Sequence, residues 1–214
     1  MNLVAIWLRS LLIILNIYKS KMLSIENSNS LSYVIKTTWD NKSIEANDYV
    51  TIQLGYNCND LEINIDAPFY DDPSLPDWRE NPRTFPKLYD FEVVEIFLLN
   101  DRTKNYLEIE LGPKGQYLLL HLSGYRNVTS ESIPLKSYET KIKEGHWFGR
   151  AFVNDEDLPE DFDRFNAYAI HGSNEQRHYL ALFPVEENNP NHLKPDFHLL
   201  EQFKPIDLFR SDSS

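Results

Sequence analysis

The stretch that decides the fold runs from residue 91 to residue 122 and contains FEVVEIFLL (91–99), NYLEIEL (105–111) and QYLLLHL (116–122). Leucine, β-branched and aromatic residues dominate all three runs. Asn100-Asp101 and Gly112-Pro113-Lys114-Gly115 separate them, and such residues are typical of the turns in β-hairpins. The stretch therefore predicts a meander of three antiparallel strands.

The middle run alternates between apolar and acidic residues. Leu107, Ile109 and Leu111 take the odd positions, and Glu108 and Glu110 take the even ones. Successive side chains of a strand point to opposite faces of a sheet. We therefore expect the three apolar side chains to face the core and the two carboxylates to face solvent.

Two interpretations remain open for the carboxylates of Glu92, Glu95, Glu108 and Glu110. They form the solvated face of a sheet, which is the interpretation we favour. Alternatively, two of them form an acid/base pair, because adjacent strands can bring carboxyl groups within the ~5–10 Å that glycoside chemistry uses.

The same strand signal recurs along most of the chain, and helical periodicity over three turns is missing except near Leu199–Phe203. About ten strands without intervening helices predict an all-β fold, an antiparallel two-sheet β-sandwich. The other predicted strands are residues 32–39, 49–56, 61–66, 138–142, 146–153, 166–171 and 178–183.

We divide the chain into an apolar N-terminal extension and linker (1–30), a β-sandwich domain (31–210) and a polar tail (211–214). The apolar run Leu3–Tyr18 is shorter than the ~20 residues of a membrane-spanning helix, and it lacks a small-residue cleavage site. Three interpretations stay open: a dispensable extension before a start at Met22, a membrane anchor or signal formed by residues 1–21, and a helix docked on the domain. Membrane association is expected only in the second case.

Composition disfavours several classes of protein. The chain carries 21 Lys and Arg against 33 Asp and Glu, a formal net charge of −12, which disfavours nucleic-acid binding. Its 7 glycines form no phosphate-binding motif, so nucleotide-binding folds are also disfavoured. Cys58 is the only cysteine and can form no intrachain disulfide, which favours a cytoplasmic location, although the N-terminal apolar run leaves a membrane or secretory route open.

No motif of a catalytic nucleophile or a metal site occurs in the sequence. The chain has no G-x-S-x-G, and its six histidines are not spaced as metal ligands on one element. We therefore predict no catalytic residue, metal ligand or cofactor. Two functional hypotheses remain open at this point. The first is an enzyme in which Glu95 or Glu108 acts with His171 or His198 as general acid and base. The second is an interaction module whose acidic surface binds a basic partner.

The segment Pro68–Pro86 carries five prolines and excludes both a helix and a central strand. Long ordered loops are often functional. Within this segment Trp78 lies among prolines and acids and is a candidate for an exposed binding aromatic. Trp147, beside the start of a strand, is expected in the core.

Four blocks of sequence carry a resemblance to known proteins: LYDFEVVEIFLLND (88–101), YLEIELGPKGQYLLLHLSGYRN (106–127), FNAYAIHGS (165–173) and PDFHLLEQF (195–203). From Tyr33 to Ile206 the chain resembles an uncharacterised eukaryotic protein family of unknown function. The same blocks are more distantly similar to the family 9 carbohydrate-binding modules. These have an aromatic residue before a D-x-V-E-I-F strand, followed by Y-x-E-x-E-I/L-x-P-x-G.

The more distant resemblance implies a carbohydrate-binding-module-like sandwich in which two aromatic rings clamp a terminal sugar. It places the first aromatic at Tyr89 and the strand carboxylate at Glu95. The second aromatic, expected as Trp, falls near Leu180 and Ala181, and the nearby Tyr179 is its candidate substitute. The predicted function is a non-catalytic binding module for a saccharide or small polar ligand, with Tyr89, Glu95, Trp78 and Tyr179 as candidate ligand-binding residues.

Overall fold

The computed structural model describes residues 30–208. The expectations for residues 1–21 and for the polar tail 211–214 therefore lie outside the described residues. Within the described part, no helix is long and apolar enough to cross a membrane.

The described residues form β-strands and five short 3-10 turns, and no α-helix occurs between residues 30 and 208. The 3-10 turns are Ala46–Asp48, Leu88–Asp90, Asp155–Asp157, Asn174–Gln176 and Leu200–Gln202. The strands are β1 (Leu31–Ile35), β2 (Thr37–Thr38), β3 (Val50–Asn57), β4 (Asp60–Pro68), β5 (Arg83–Thr84), β6 (Val93–Leu99), β7 (Asn105–Leu111), β8 (Gln116–Ser123), β9 (Val128–Glu131), β10 (Ser137–Lys143), β11 (His146–Val153), β12 (Arg164–His171), β13 (His178–Ala181) and β14 (Lys204–Pro205).

Two sheets make up the domain. The small sheet has the order β1-β3-β4-β11-β10, and all its strands pair antiparallel. The large sheet has the order β2-β13-β12-β6-β7-β8-β5, with β14 beside β12 and β9 beside β8. Only β5 pairs parallel among the described strands. The prediction of an all-β antiparallel sandwich is confirmed.

The main core lies between the two sheets. Leu107, Ile109 and Leu111 of β7 are fully buried there, as their alternation with glutamates predicted. Trp147 of β11 belongs to the same core and is 1% exposed, as expected.

A second apolar core covers the outer face of the large sheet. Phe97, Tyr106 and Tyr168 of the sheet pack there against Leu88 and Phe197 from the connecting segments. Connecting segments of the protein, rather than water, therefore cover this part of the face.

The expectation that the strand glutamates face solvent is wrong. Glu92, Glu95, Glu108 and Glu110 are 3%, 2%, 4% and 0% exposed. The period of two correctly separates Glu95, Glu108 and Glu110 from the inter-sheet core, but it says nothing about which segment of the chain covers the other face.

The proline-rich segment is held against the large sheet by backbone hydrogen bonds. The Trp78 N–H donates to the Lys114 carbonyl at 2.7 Å, and the Arg83 N–H donates to the Gly115 carbonyl at 3.1 Å. Glu92 accepts hydrogen bonds from the backbone N–H groups of Tyr70 and Asp71, at 3.2 and 2.7 Å. These contacts hold the segment in an ordered conformation over one end of the large sheet.

Candidate functional site

A cavity of about 650 Å³ opens on the outer face of the large sheet. Its floor comes from β6, β7 and β8, and its walls come from the connecting segments around Leu88–Asp90 and Pro195–His198. Side chains that bear charge or an aromatic ring and line it include Tyr89, Glu95, Glu108, Arg126, Arg177 and Tyr179.

Tyr89 supplies an exposed aromatic ring to this cavity. It lies in the 3-10 turn Leu88–Asp90, and its side chain is 42% exposed. The Arg177 guanidinium donates hydrogen bonds to the backbone carbonyls of Tyr89 and Asp90, the second at 2.9 Å. The turn is therefore anchored by its backbone, and the phenol ring remains available to a ligand.

A second group of aromatic residues that line the cavity is packed more tightly. Tyr179 of β13 lies beneath the Arg177 guanidinium, 5.5 Å from its ring centre, and meets Phe197 edge-on at 6.1 Å. Phe197 in turn stacks on Tyr168 at 3.9 Å between ring centres. These contacts hold Phe197 and Tyr179 as a rigid apolar wall.

Three carboxylates meet at the floor of the cavity. Glu95 of β6 and Glu110 of β7 are direct partners across the two strands, and Glu108 lies on the same face two residues before Glu110. One oxygen from each of the three side chains lies within 4.8 Å of the others. Glu95 and Glu108 line the cavity, whereas Glu110 is completely buried.

Burial raises the pKa values of all three groups, and repulsion by neighbouring carboxylates raises those of Glu95 and Glu110 further. Loss of solvation is the main cause at each, and it raises the pKa of Glu108 to about 7. The charge of Glu108 further raises the pKa of Glu95, and the charges of Glu95 and Glu108 raise the pKa of Glu110. Arg126 opposes the increase at Glu95 and Glu108. Without a cation, the group holds protons at neutral pH.

His198 is the basic group closest to the carboxylates. Its Nε2 lies 3.9 Å from Oε2 of Glu108, and its Nδ1 shares a 2.7 Å hydrogen bond with the Tyr106 hydroxyl. Burial lowers the pKa of His198 to about 4, so the imidazole is neutral at pH 7 and does not balance the charge of Glu108.

The structure brings three of the four candidate ligand-binding residues together. Tyr89, Glu95 and Tyr179 line the same cavity. Trp78 lies elsewhere: it is half-buried, packs against Phe85 at 5.3 Å and carries the Arg83 guanidinium over its ring at 3.9 Å.

The candidate acid/base residues are divided in the same way. Glu95, Glu108 and His198 line the cavity, whereas His171 stacks on Tyr70 at 3.8 Å outside it. Sequence reasoning missed the two arginines of the cavity, Arg126 and Arg177. Each lies in a connection between strands, where no periodicity indicates the direction of a side chain.

Comparison with known proteins places the chain among eukaryotic relatives. No family model matches it. The rat UPF0462 protein C4orf33 homolog is 42% identical over 177 residues, covering 82% of this chain and 87% of the relative. The human UPF0462 protein C4orf33 is 42% identical over 179 residues, covering 83% and 88%, and the zebrafish homolog is 37% identical over 179 residues, covering 83% and 89%.

A solved structure shares the fold. A candidate carbohydrate-binding protein from Bacteroides uniformis superposes with a TM-score of 0.60 at 10% identity, covering 82% of this chain and 84% of that one. A family 9 carbohydrate-binding module from Caldicellulosiruptor kristjanssonii, in complex with glucose, gives a TM-score of 0.46 at 18% identity, covering 89% and 90%. The resemblance to an uncharacterised eukaryotic family is confirmed by the relatives named above, and the chain belongs to the UPF0462 family.

Proposed function

We propose that this protein is a binding module that holds a saccharide in the cavity on the outer face of the large sheet. The observation that carries the proposal is the exposed Tyr89 ring at the edge of a cavity whose floor bears Glu95 and Glu108. An aromatic face beside carboxylates suits a sugar, because the ring packs on the apolar face of the pyranose and the carboxylate accepts hydrogen bonds from its hydroxyls.

The size and lining of the cavity support a small ligand. Its volume of about 650 Å³ lies within the ~300–1,000 Å³ range of ligand pockets. Arg126 and Arg177 add hydrogen-bond donors at its rim, and Tyr179 and Phe197 add apolar surface. The fold shared with the candidate carbohydrate-binding protein from Bacteroides uniformis makes saccharides the first ligands to test.

The test is isothermal titration calorimetry against mono- and oligosaccharides, selected first on a glycan array. We expect Tyr89→Ala to weaken the binding of any saccharide that the native chain binds by roughly five- to thirty-fold, because it removes stacking of about 1–2 kcal/mol. The melting temperature should not change, since the Tyr89 ring makes no ring contact with other described residues and is exposed.

Phe148→Ala is the matched control. Phe148 is 40% exposed, like Tyr89, but it belongs to β11 of the small sheet and lies outside the cavity. This variant should bind saccharides like the native chain. The proposal fails if no saccharide binds at millimolar concentration, or if the two variants lose affinity equally.

Acid/base catalysis is a second candidate function, favoured by the 3.9 Å approach of His198 to Glu108 inside the same cavity. A protonated carboxyl group beside a bound glycoside is what a general acid requires. Turnover of nitrophenyl glycosides, lost in Glu95→Gln, would favour this function over binding alone.

A further inference from the structure

The three glutamates at the floor of the cavity are not satisfied by the protein around them. Neither carboxylate oxygen of Glu110, nor Oε2 of Glu108, accepts a hydrogen bond from a described group outside the cluster, although one of these two carboxyl groups can donate to the other when it is protonated. Glu110 is 0% exposed and points into the cluster that it forms with Glu95 and Glu108. Burying a charged carboxylate without partners is costly, so the charges of a buried group of three must be balanced by protons or by a bound cation.

The surrounding basic groups do not supply that compensation. No Lys or Arg of residues 30–208 forms an ion pair with the three glutamates within 4.0 Å. Arg126 is bound to Asp196, at 2.8 Å, and Arg177 donates to backbone carbonyls. The Tyr89 backbone N–H approaches Glu110 without completing a hydrogen bond to it.

We propose that Glu95, Glu108 and Glu110 together bind one divalent cation, for which Ca²⁺ is the best match. Carboxylate oxygens are hard ligands, and Ca²⁺ binds them at about 2.3–2.6 Å, so two ligands on opposite sides of the ion lie about 4.8 Å apart. The three oxygens fall within 4.8 Å of one another and therefore fit around a single ion.

The position of the cluster allows the ion to enter and to complete its coordination shell. Glu95 and Glu108 line the open cavity, and Glu110 lies beneath them. Three side chains leave several of the six to eight coordination positions of Ca²⁺ open, and water or the oxygens of a ligand can fill them from the cavity. This cation site does not depend on the proposed binding of saccharides.

Terbium luminescence and thermal unfolding test the site in the full chain after treatment with a chelator. Tb³⁺ prefers oxygen ligands, as Ca²⁺ does, and is sensitised by nearby tyrosines, of which Tyr168 lies opposite Glu95 in the sheet. We expect a sensitised Tb³⁺ signal that Ca²⁺ displaces. Millimolar Ca²⁺ should also raise the melting temperature by at least about 3 °C.

Glu110→Gln is the decisive variant, because the amide has the same shape and removes one of three repelling charges. We expect it to lose at least ten-fold in affinity for Ca²⁺ while the metal-free chain melts no lower than the native chain. Glu139→Gln, at an exposed position of β10, is the control and should leave the affinity unchanged.

Two results would overturn the proposal. One is a native chain whose Tb³⁺ signal and melting temperature do not respond to Ca²⁺, Mg²⁺ or Mn²⁺, which would mean that the carboxyl groups are balanced by protons. The other is a Glu110→Gln variant that binds Ca²⁺ like the native chain. Tyr89→Ala separates this proposal from the saccharide proposal, because it should leave the affinity for Ca²⁺ unchanged.

Discussion

At the scale of single residues, Glu92 shows how a buried carboxylate holds a loop. It accepts backbone hydrogen bonds from Tyr70 and Asp71 and thereby fixes the start of the proline-rich segment. Loss of solvation nevertheless outweighs these hydrogen bonds and raises the pKa of Glu92 from 4.5 to about 7. A group whose pKa is raised by folding stabilises the fold below its unfolded pKa, and this contribution is lost as the pH rises through the folded value.

Glu92→Gln tests this linkage, because glutamine has the same shape and does not titrate. We expect the native chain's free energy of unfolding, relative to that of the variant, to fall by at most about 3 kcal/mol between about pH 4.5 and pH 7.5. Urea denaturation of both proteins over this pH range measures the two free energies of unfolding. Subtracting one from the other removes the contribution of the other titrating groups. A difference that is constant with pH would show that the hydrogen bonds from the backbone fully offset the loss of solvation and leave the pKa of Glu92 at its unfolded value.

At the scale of elements, strand periodicity predicted strands of both sheets. The bounds expected for 105–111 and 146–153 are those of β7 and β11. The sequence pattern did not predict the shortest strands, because these form only through pairing with distant parts of the chain. β5 and β14 have two residues each, and β5 forms because Arg83 and Thr84 lie in register with Gln116 and Tyr117 of β8. Resemblance to a known motif selected Tyr89, Glu95 and Tyr179 as candidate site residues. The place of Glu110 and the two arginines in the site depends on how connecting segments cover the sheet, which the strand pattern does not show.

Gly115 is the point at which the β7–β8 turn meets the proline-rich segment. Its φ is +91°, and a Cβ atom there would lie 2.6 Å from the Trp78 carbonyl oxygen. Gly145 has a similar φ of +79°, but a Cβ atom there would meet no other atom within 4 Å. A substitution at Gly145 therefore measures the cost of backbone strain alone, without a steric conflict. We expect Gly145→Ala to cost about 1 kcal/mol of stability and Gly115→Ala at least about 2 kcal/mol.

Urea denaturation measures both costs, and limited trypsin digestion shows where the structure opens. In Gly115→Ala the displaced segment should be cleaved faster at the exposed Arg79, whereas Gly145→Ala should be cleaved there like the native chain. Equal costs and equal cleavage would mean that the segment adapts to the added methyl group.

At the scale of the whole molecule, the large sheet carries a core on each face. All seven residues of β6 are buried; Ile96 belongs to the core between the sheets and the adjacent Phe97 to the core beneath the covering segments. The same strands therefore support both cores, and exposure of either face to water removes apolar burial from the strands that hold the other. The two cores should unfold as one unit, although the covering segments have little regular structure.

Leu107→Ala and Phe203→Ala test this cooperativity. Both residues are 0% exposed, Leu107 in the core between the sheets and Phe203 in the outer core. Truncation should cost about 2–5 kcal/mol at Leu107 and about 3–5 kcal/mol at Phe203. In both variants, unfolding followed by far-UV and near-UV circular dichroism should give one coincident transition, because loss of the outer core exposes one face of β6 and β7 to water.

A Phe203→Ala variant that loses its near-UV signal at lower urea than its far-UV signal would show that the segments covering the cavity unfold alone. The cavity would then be formed by a separately stable layer rather than by the sandwich.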